Sequence, residues 1–392
     1  MRITFVSNYI NHHQIPIAEE LYRLTQGEYR FIQTSPMEED RIKQGWAEDF
    51  SQLPYLLLYE ENPQECKRRI SESEIVIFGG VEDESYIADR IDAGKIVIRY
   101  SERLYREGQW KAVSPRGLIK KYHDHTRHHK RPVYLLCSGG YVADDFEIVK
   151  AYRGKRFRWG YFTQFEKLND EDFLEYKQGN TVRILWAGRF LALKHSMDVL
   201  EALLRLKRKG IRFEMQFVGG GECENQMRDF ISSHGLENDV KITGFLKPAQ
   251  VREEMKKAHI YLFTSDYREG WGAVVNEAMN SGCAVVVSHA VGAAPFLIKH
   301  GENGLIYKSG NVEALAECIE RLCEDAGLRQ LLGKNAYKTI EQEWNPKEAA
   351  VRLFRLCENL MQGEVSFEKS GPLSEAEVIR QSKMYEYLTG KK

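Results

Sequence analysis

The densest concentration of reactive residue types in the 392-residue chain is Ser265–Gly282, SDYREGWGAVVNEAMNSG. Glu269 and Glu277 stand eight positions apart, the first in a loop and the second about two turns into the helix that follows. Gly270 and Gly272 let the backbone bend and present N–H groups at the start of that helix, where phosphate or sugar oxygens are favoured. Carboxylates in such a place accept hydrogen bonds from ribose or sugar hydroxyls. Spacing alone leaves a capped helix with two solvated glutamates equally open. Upstream, Trp186–Lys194 (WAGRFLALK) sets Arg189 and Lys194 just past a strand-like run. An ordinary basic loop is the plain alternative there.

Other clusters are weaker. Val218–Glu222 (VGGGE) does not make a dinucleotide fingerprint, because the last glycine of G-x-G-x-x-G would fall on Glu224, and it reads as a tight turn. That disfavours a nicotinamide-linked oxidoreductase. Near the N-terminus Asn11, His12 and His13 follow the first strand, and Ser101 and Glu102 follow IVIRY. The bland reading of the histidines is a helix cap plus a surface imidazole. A metal-dependent transferase would want D-x-D after a strand, but Asp170–Asp172 sits in a polar stretch, so a metal role there is disfavoured. Arg116–Arg131, RGLIKKYHDHTRHHKR, carries six Lys/Arg against Asp124 alone. Metal binding by its four histidines lacks carboxylate or Cys partners. Nucleic-acid binding lacks interleaved aromatics. Contact with anionic lipid and a solvated face remain.

The elements that must position these residues are legible as short apolar runs alternating with amphipathic helices. The runs are Ile3–Val6, Ile75–Phe78, Ile96–Ile98, Val133–Leu136, Ile184–Trp186, Met215–Val218, Val240–Ile242, Ile260–Phe263 and Ala284–Val287. Such runs indicate parallel strands buried on both faces. They fall into two groups on either side of the acidic stretch Glu166–Asn180. The expectation is therefore two Rossmann-like α/β domains facing a central cleft: residues 1–165, a linker at 166–180, and 181–372. A last helical segment, 373–392, is expected to pack back onto the first domain, and the aromatics of Arg158–Phe162 to fill the domain junction. Ligands of such sheets bind beyond the C-terminal ends of strands.

Composition agrees with a folded globular protein. Apolar residues make up 43% and charged residues 29%, and 56 Lys+Arg oppose 57 Asp+Glu, which disfavours whole-chain nucleic-acid binding. The seven cysteines form no CxxC pair, so reduced thiols in a cytoplasmic protein are expected. MRITFVSN opens as a strand rather than a signal peptide, and no apolar run reaches membrane-spanning length.

The segment SDYREGWGAVVNEAMNSG resembles the E-x7-E motif of family 4 retaining glycosyltransferases of the GT-B architecture. WAGRFLALK, ITGFL (242–246), VGAAPFLI (291–298) and GENGLI (301–306) resemble that family's other landmarks in order and spacing, over Val182–Asn345. The resemblance implies that Arg189 and Lys194 bind the donor diphosphate without a divalent metal or cofactor. It implies Glu277 on ribose, and Glu269 on the transferred sugar beside Gly270, Trp271, Gly272 and Ala273. A turn at Gly220 would lie near the donor, and Phe245 or Leu246 against the base, though either could equally be core. The N-terminal half departs from the family's usual Gly-Gly loop and histidine. Its NHHQ and SER segments resemble a bacterial polysaccharide-assembly subset, which makes Asn11, His12, His13, Ser101 and Glu102 acceptor-side candidates. The function implied is sugar transfer from a nucleotide-diphosphate sugar to a glycan or lipid-linked glycan, with Arg116–Arg131 touching the inner membrane face. The rivals are a non-hydrolysing nucleotide-sugar epimerase and an inactive nucleotide-sugar-binding scaffold. The sugar, the base and the acceptor are not legible.

Overall fold

The computed structural model describes residues 1–38, 50, 52–169, 171, 173, 176–179 and 181–390. Asp170 and Asp172 lie outside the described residues. The chain divides into two compact units, Met1–Gln164 with Glu343–Arg380, and Phe165–Gln342 with Gln381–Lys392.

The first unit holds strands β1 (Ile3–Ser7), β2 (Tyr29–Gln33), β3 (Leu56–Leu58), β4 (Ile75–Gly79), β5 (Val97–Ser101), β6 (Val133–Ser138) and β7 (Arg156–Trp159). They form one parallel sheet in the order β3-β2-β1-β4-β5-β6-β7. The second unit holds β8 (Val182–Ala187), β9 (Phe213–Val218), β10 (Val240–Ile242), β11 (Ile260–Phe263), β12 (Ala284–Ser288) and β13 (Leu305–Tyr307). Its order is β10-β9-β8-β11-β12-β13, again all parallel. Both are α/β Rossmann-like sheets, as the apolar runs predict. Central strands β1, β4, β6, β11 and β12 are buried at every position, which is why continuous Val/Ile/Leu/Phe runs mark them. The strands without such a run are β2, β3, β7 and β13. Edge strand β7, RFRW, interleaves arginines with aromatics: Arg156 is buried but pairs with Glu147 at 2.8 Å, and Arg158 is half-buried.

In each sheet the strand order reverses beside the first strand, between β1 and β4 and between β8 and β11. Ligands of such sheets bind at the loops leaving the C-terminal ends of those pairs.

Three boundaries differ from expectation. The stretch read as a linker belongs to the second unit, because its apolar residues pack there: the Phe173 ring sits 5.2 Å from Tyr337, and the Leu168 N–H donates to Tyr337 Oη at 2.9 Å. The return to the first unit begins at Glu343 rather than 373. It includes the helix Pro346–Met361, capped by Asn345 Oδ1 at 2.9 Å from Glu348 N and packed on the helix Ile15–Leu24. Residues from Gln381 onward group with the second unit, where Tyr385 meets His289 ring to ring.

Candidate functional site

The second unit's candidate site is built from the two loops at its strand-order reversal. After β8 the chain passes Gly188 and Arg189 and makes a tight turn at Ala192–Lys194 before the helix Ser196–Arg208. After β11 it passes Ser265–Ala273 before the helix Val274–Asn280. The two loops are tied together: Asp266 N–H donates to Leu193 O at 2.9 Å, and Thr264 Oγ1 donates to Lys194 O at 2.6 Å. Lys194 forms an ion pair with Glu269, and its ammonium lies 5.1 Å from the Phe263 ring centroid. Glu269 and Lys194, 75 residues apart in sequence, are thus one unit of charge. Arg189 differs. Its half-exposed guanidinium has no hydrogen-bond or ion-pair partner among the described residues. A cation at a strand end with no internal partner is available to an anionic ligand.

The helix begins at Val274, so Glu277 stands in its first turn rather than two turns in; Gly270–Ala273 stay irregular. Gly272 takes φ +88°, and a Cβ there would come within 2.5 Å of the Phe263 ring, so glycine is required. Glu277 is only 6% exposed. Burial raises its carboxyl to about 7, opposed by Arg252, whose guanidinium lies 3.6 Å away. A carboxyl made costly to ionise by burial, with Arg252 beside it, is an energetic liability that a hydroxyl donating to it would relieve.

The glycine turn lies against the first loop. A Cβ on Gly219 would meet Gly188 O at 1.8 Å, which explains that glycine by close backbone approach rather than by phosphate binding. Beside it the Phe245 ring lies over Gly220 and is 58% exposed, so it is not core; Leu246 is half-buried. The Trp271 indole is buried and donates to Asn276 Oδ1 at 2.7 Å, and its carbonyl accepts from Ala293 N at 3.0 Å. Ala273 is buried beside it.

His195 is a residue the sequence did not single out. It adopts φ +53°, a conformation that costs a non-glycine residue energy. Its ring bridges Asp198 at 3.2 Å and Asp266 at 3.5 Å. Those two carboxylates raise the imidazole to about 9, and Asp266, also paired with Arg268, is held well below the usual carboxylate range. A protonated His195 therefore clamps the Lys194 loop to the Glu269 loop. No local pattern announces a partner 71 residues away.

In the first unit the structure gathers the acceptor-side candidates with residues not foreseen. Asn11 Oδ1 accepts from His13 N at 3.0 Å, and the His12 and His13 rings lie 3.9 Å apart. His13 stacks on Tyr161, and Tyr161 on Tyr100. Tyr161 Oη donates to Glu102 Oε1 at 2.7 Å, and Glu102 also pairs with Arg106. Ser101 Oγ turns back to Glu102 O at 2.7 Å. Tyr161 and Phe162, expected to fill the domain junction, pack within this unit, Phe162 between Trp159 and Trp344.

The basic segment is a folded element. Pro115–Asp124 is a helix, and His125 and His128 are buried below it. Burial pushes His125 well below its usual range, and its Nδ1 meets Tyr152 Oη at 2.9 Å. The four histidines therefore point to different environments. Among the described residues no group of three or more His, Cys, Asp or Glu could hold a metal ion.

Comparison with known proteins adds the following. Residues 170–339 match the family described as glycosyl transferases group 1. The chain is 30% identical over 184 residues to the amylovoran biosynthesis glycosyltransferase AmsK of Erwinia amylovora, covering 46% of this chain and 45% of that one. It is 28% identical over 189 residues to the capsular polysaccharide biosynthesis glycosyltransferase CapM of Staphylococcus aureus, covering 46% and 48%. The chain thus spans about half the length of the curated relatives it matches. Anabaena Alr3699/HepE, solved in complex with UDP, aligns with TM-score 0.70 over 93% of this chain and 100% of that one, at 16% identity. TarM aligns with TM-score 0.67 over 91% and 98%, at 10% identity. Those likenesses give the GT-B fold, and the match to the model of the glycosyl transferases group 1 family falls within the second unit.

Proposed function

We propose that the chain is a retaining, metal-independent glycosyltransferase of polysaccharide biosynthesis. It moves a sugar from a nucleotide-diphosphate sugar to a glycan or lipid-linked glycan. The observation that carries this is the convergence, at the strand-order reversal of the family-matched unit, of unpartnered Arg189, paired Lys194 and Glu269, and buried Glu277. HepE, which shares the fold, was crystallised with UDP and with UDP-glucose.

As the bond between the sugar C1 and the diphosphate oxygen breaks, negative charge grows on the departing diphosphate. Arg189 and Lys194 stabilise that charge in place, supplying what a divalent cation would otherwise supply. Lys194 shifts toward the diphosphate from Glu269, which is then free to accept hydrogen bonds from the transferred sugar beside the Gly270–Ala273 backbone. Glu277 accepts from the ribose hydroxyls, and the exposed Phe245 ring over Gly220, with Leu246, offers an apolar surface to the base. The acceptor hydroxyl attacks C1 on the face the diphosphate leaves, and its proton passes to the departing phosphate oxygen. No side-chain general base is needed, and configuration is retained. Asn11, His12, His13, Ser101 and Glu102 hold the acceptor. The segment Arg116–Arg131 faces the anionic inner surface of the cell membrane.

The test is nucleotide release from a panel of nucleotide sugars with glycan acceptors, with the product's anomeric configuration read by NMR. Release that depends on acceptor, survives chelator and gives retained configuration is expected. An inverted product or metal dependence would refute the mechanism, and epimerised donor without acceptor would replace the function with the epimerase.

A further inference from the structure

The helix Pro115–Asp124 is built inside out. None of its residues is buried. Its only half-buried positions are Gly117, Lys121 and Asp124, spaced as one helical face, while Leu118, Ile119 and Tyr122, on the opposite face, are exposed. The inward face is fixed by polar contacts: Arg99 donates to Asp124 O at 2.7 Å, and Lys120 pairs with Asp124 Oδ2 at 2.8 Å. The short helical turn Gln109–Val113 just before it continues the outward apolar face, with Trp110 70% and Val113 78% exposed. Trp110, Val113, Leu118, Ile119 and Tyr122 make five of the twelve large apolar side chains exposed among the described residues. Scattered exposed apolar residues are ordinary, but a contiguous set rimmed by charge marks an interaction surface.

The rim is cationic. Arg106, Lys111, Arg116, Lys120, Arg127, Lys130 and Arg131 are all exposed in residues 106–131, against Glu82, Glu84, Glu102, Glu107 and Asp124. Arg106, Lys111 and Lys120 are paired with Glu102, Glu107 and Asp124, and Arg116, Lys130 and Arg131 make no ion pair among the described residues. Such a rim opposes pairing with a second copy of the same face, since like charges would meet. It is complementary to a surface that is apolar inside and anionic outside.

We propose that residues 109–122 are an insertion element: Trp110, Val113, Leu118, Ile119 and Tyr122 enter the acyl boundary of an anionic bilayer while the surrounding Lys and Arg side chains bind its headgroups. This deepens the membrane contact in the proposed function, which rested on charge alone, and it does not depend on the transferase chemistry. Burial of apolar side chains makes binding persist in salt, whereas adsorption by charge alone is screened away.

The experiment is vesicle flotation of the full chain, without substrates, on phosphatidylcholine alone and on phosphatidylcholine containing about a third phosphatidylglycerol. The wild type is expected to float with the anionic vesicles and not with the neutral ones. The double variant Trp110→Ser, Ile119→Ser, both already solvent-exposed, is expected to keep its circular dichroism and melting temperature. It should lose anionic-vesicle affinity by roughly tenfold or more. Arg116→Glu with Lys120→Glu should lose it as well. No flotation of the wild type refutes both membrane contact and insertion. Flotation of the serine variant equal to wild type, abolished in both by moderate salt, leaves the electrostatic contact standing and refutes insertion. A dimer in solution that the serine variant dissolves would assign the face to self-association instead.

Discussion

The two strand-order reversals share a topology and differ in chemistry. At β8/β11 the side chains are charged: Arg189, Lys194, Glu269, Glu277 with Arg252, and His195 between two aspartates. Beside the β1/β4 reversal, in the segments after β1, β5 and β7, they are mainly aromatic, His12, His13, Tyr100 and Tyr161 around Glu102. A preset array of charges suits a diphosphate, whose interaction is long-ranged and strengthens as charge develops. Flat rings with a few acceptors suit a sugar, which offers apolar ring faces and many hydroxyls but no charge. In the proposed function one scaffold twice over provides two grades of recognition, and substitutions in the two places should fail differently.

The largest effect is expected at Arg189. Arg189→Ala should lower kcat by ~10²–10³, by analogy with removing one oxyanion donor. Because Arg189 has no partner among the described residues, the variant's melting temperature should not fall. Single-turnover release assays and thermal unfolding check the two halves of that statement, and an unchanged rate with a cognate donor would remove Arg189 from the mechanism.

Glu277 should separate binding from stability. Its carboxyl is raised to about 7 by burial, so the folded state holds a proton that the unfolded state releases nearer 4.5. Stability therefore falls as pH rises between those values, and the full cost is present above about 7. Glu277→Gln should remove that cost, on the order of 1–3 kcal/mol at pH near 8, while nucleotide affinity drops about tenfold or more. Below pH ~5 the stability gain should vanish. Calorimetric nucleotide titration and urea unfolding across pH test both, and wild-type affinity in the variant would end the ribose role.

His195 carries the opposite sign. Two carboxylates raise it to about 9, so its stabilisation is complete below about 6.5 and is lost as pH climbs through 9. His195→Asn keeps a residue that tolerates the left-handed backbone. It should destabilise by roughly 1–2 kcal/mol at pH 6 and by little at pH 10, which chemical unfolding at the two pH values would show. A pH-independent difference would mean the ring acts by packing alone.

The smallest effect is expected in the first unit. Tyr161→Phe removes one hydrogen bond to Glu102 and keeps the stacking with His13 and Tyr100. KM for acceptor should rise by a few-fold, in line with about 1 kcal/mol, with donor affinity unchanged. A shift in donor affinity would blur the division between the two places.

Much of this was legible from residue order because parallel strands buried on both faces must be written as continuous apolar runs. Every one of the nine such runs is a strand or lies within one residue of it. The exceptions are visible in the residues: Arg30 and Gln33 interrupt β2, β7 alternates arginine with aromatic, its buried Arg156 pairing with Glu147, and β3 and β13 are only three residues long. The E-x7-E segment and the Arg/Lys loop were visible because their landmarks are local. The His195 bridge, the Arg252 partner of Glu277 and the Tyr161–Glu102 bond were not, since each joins residues far apart in sequence. Nor does amphipathic spacing say which face of Pro115–Asp124 turns outward. Only the half-burial of Gly117, Lys121 and Asp124 does.

The most direct measurement of the central claim is binding of nucleotide sugars to the wild type and to Arg189→Ala, read as shifts in melting temperature across a panel of bases and sugars. At least one nucleoside diphosphate sugar should stabilise the wild type by several degrees at saturating concentration and leave Arg189→Ala nearly unmoved. Equal stabilisation of both proteins, or a response confined to nucleotides without a sugar, would contradict a donor site at the β8/β11 reversal.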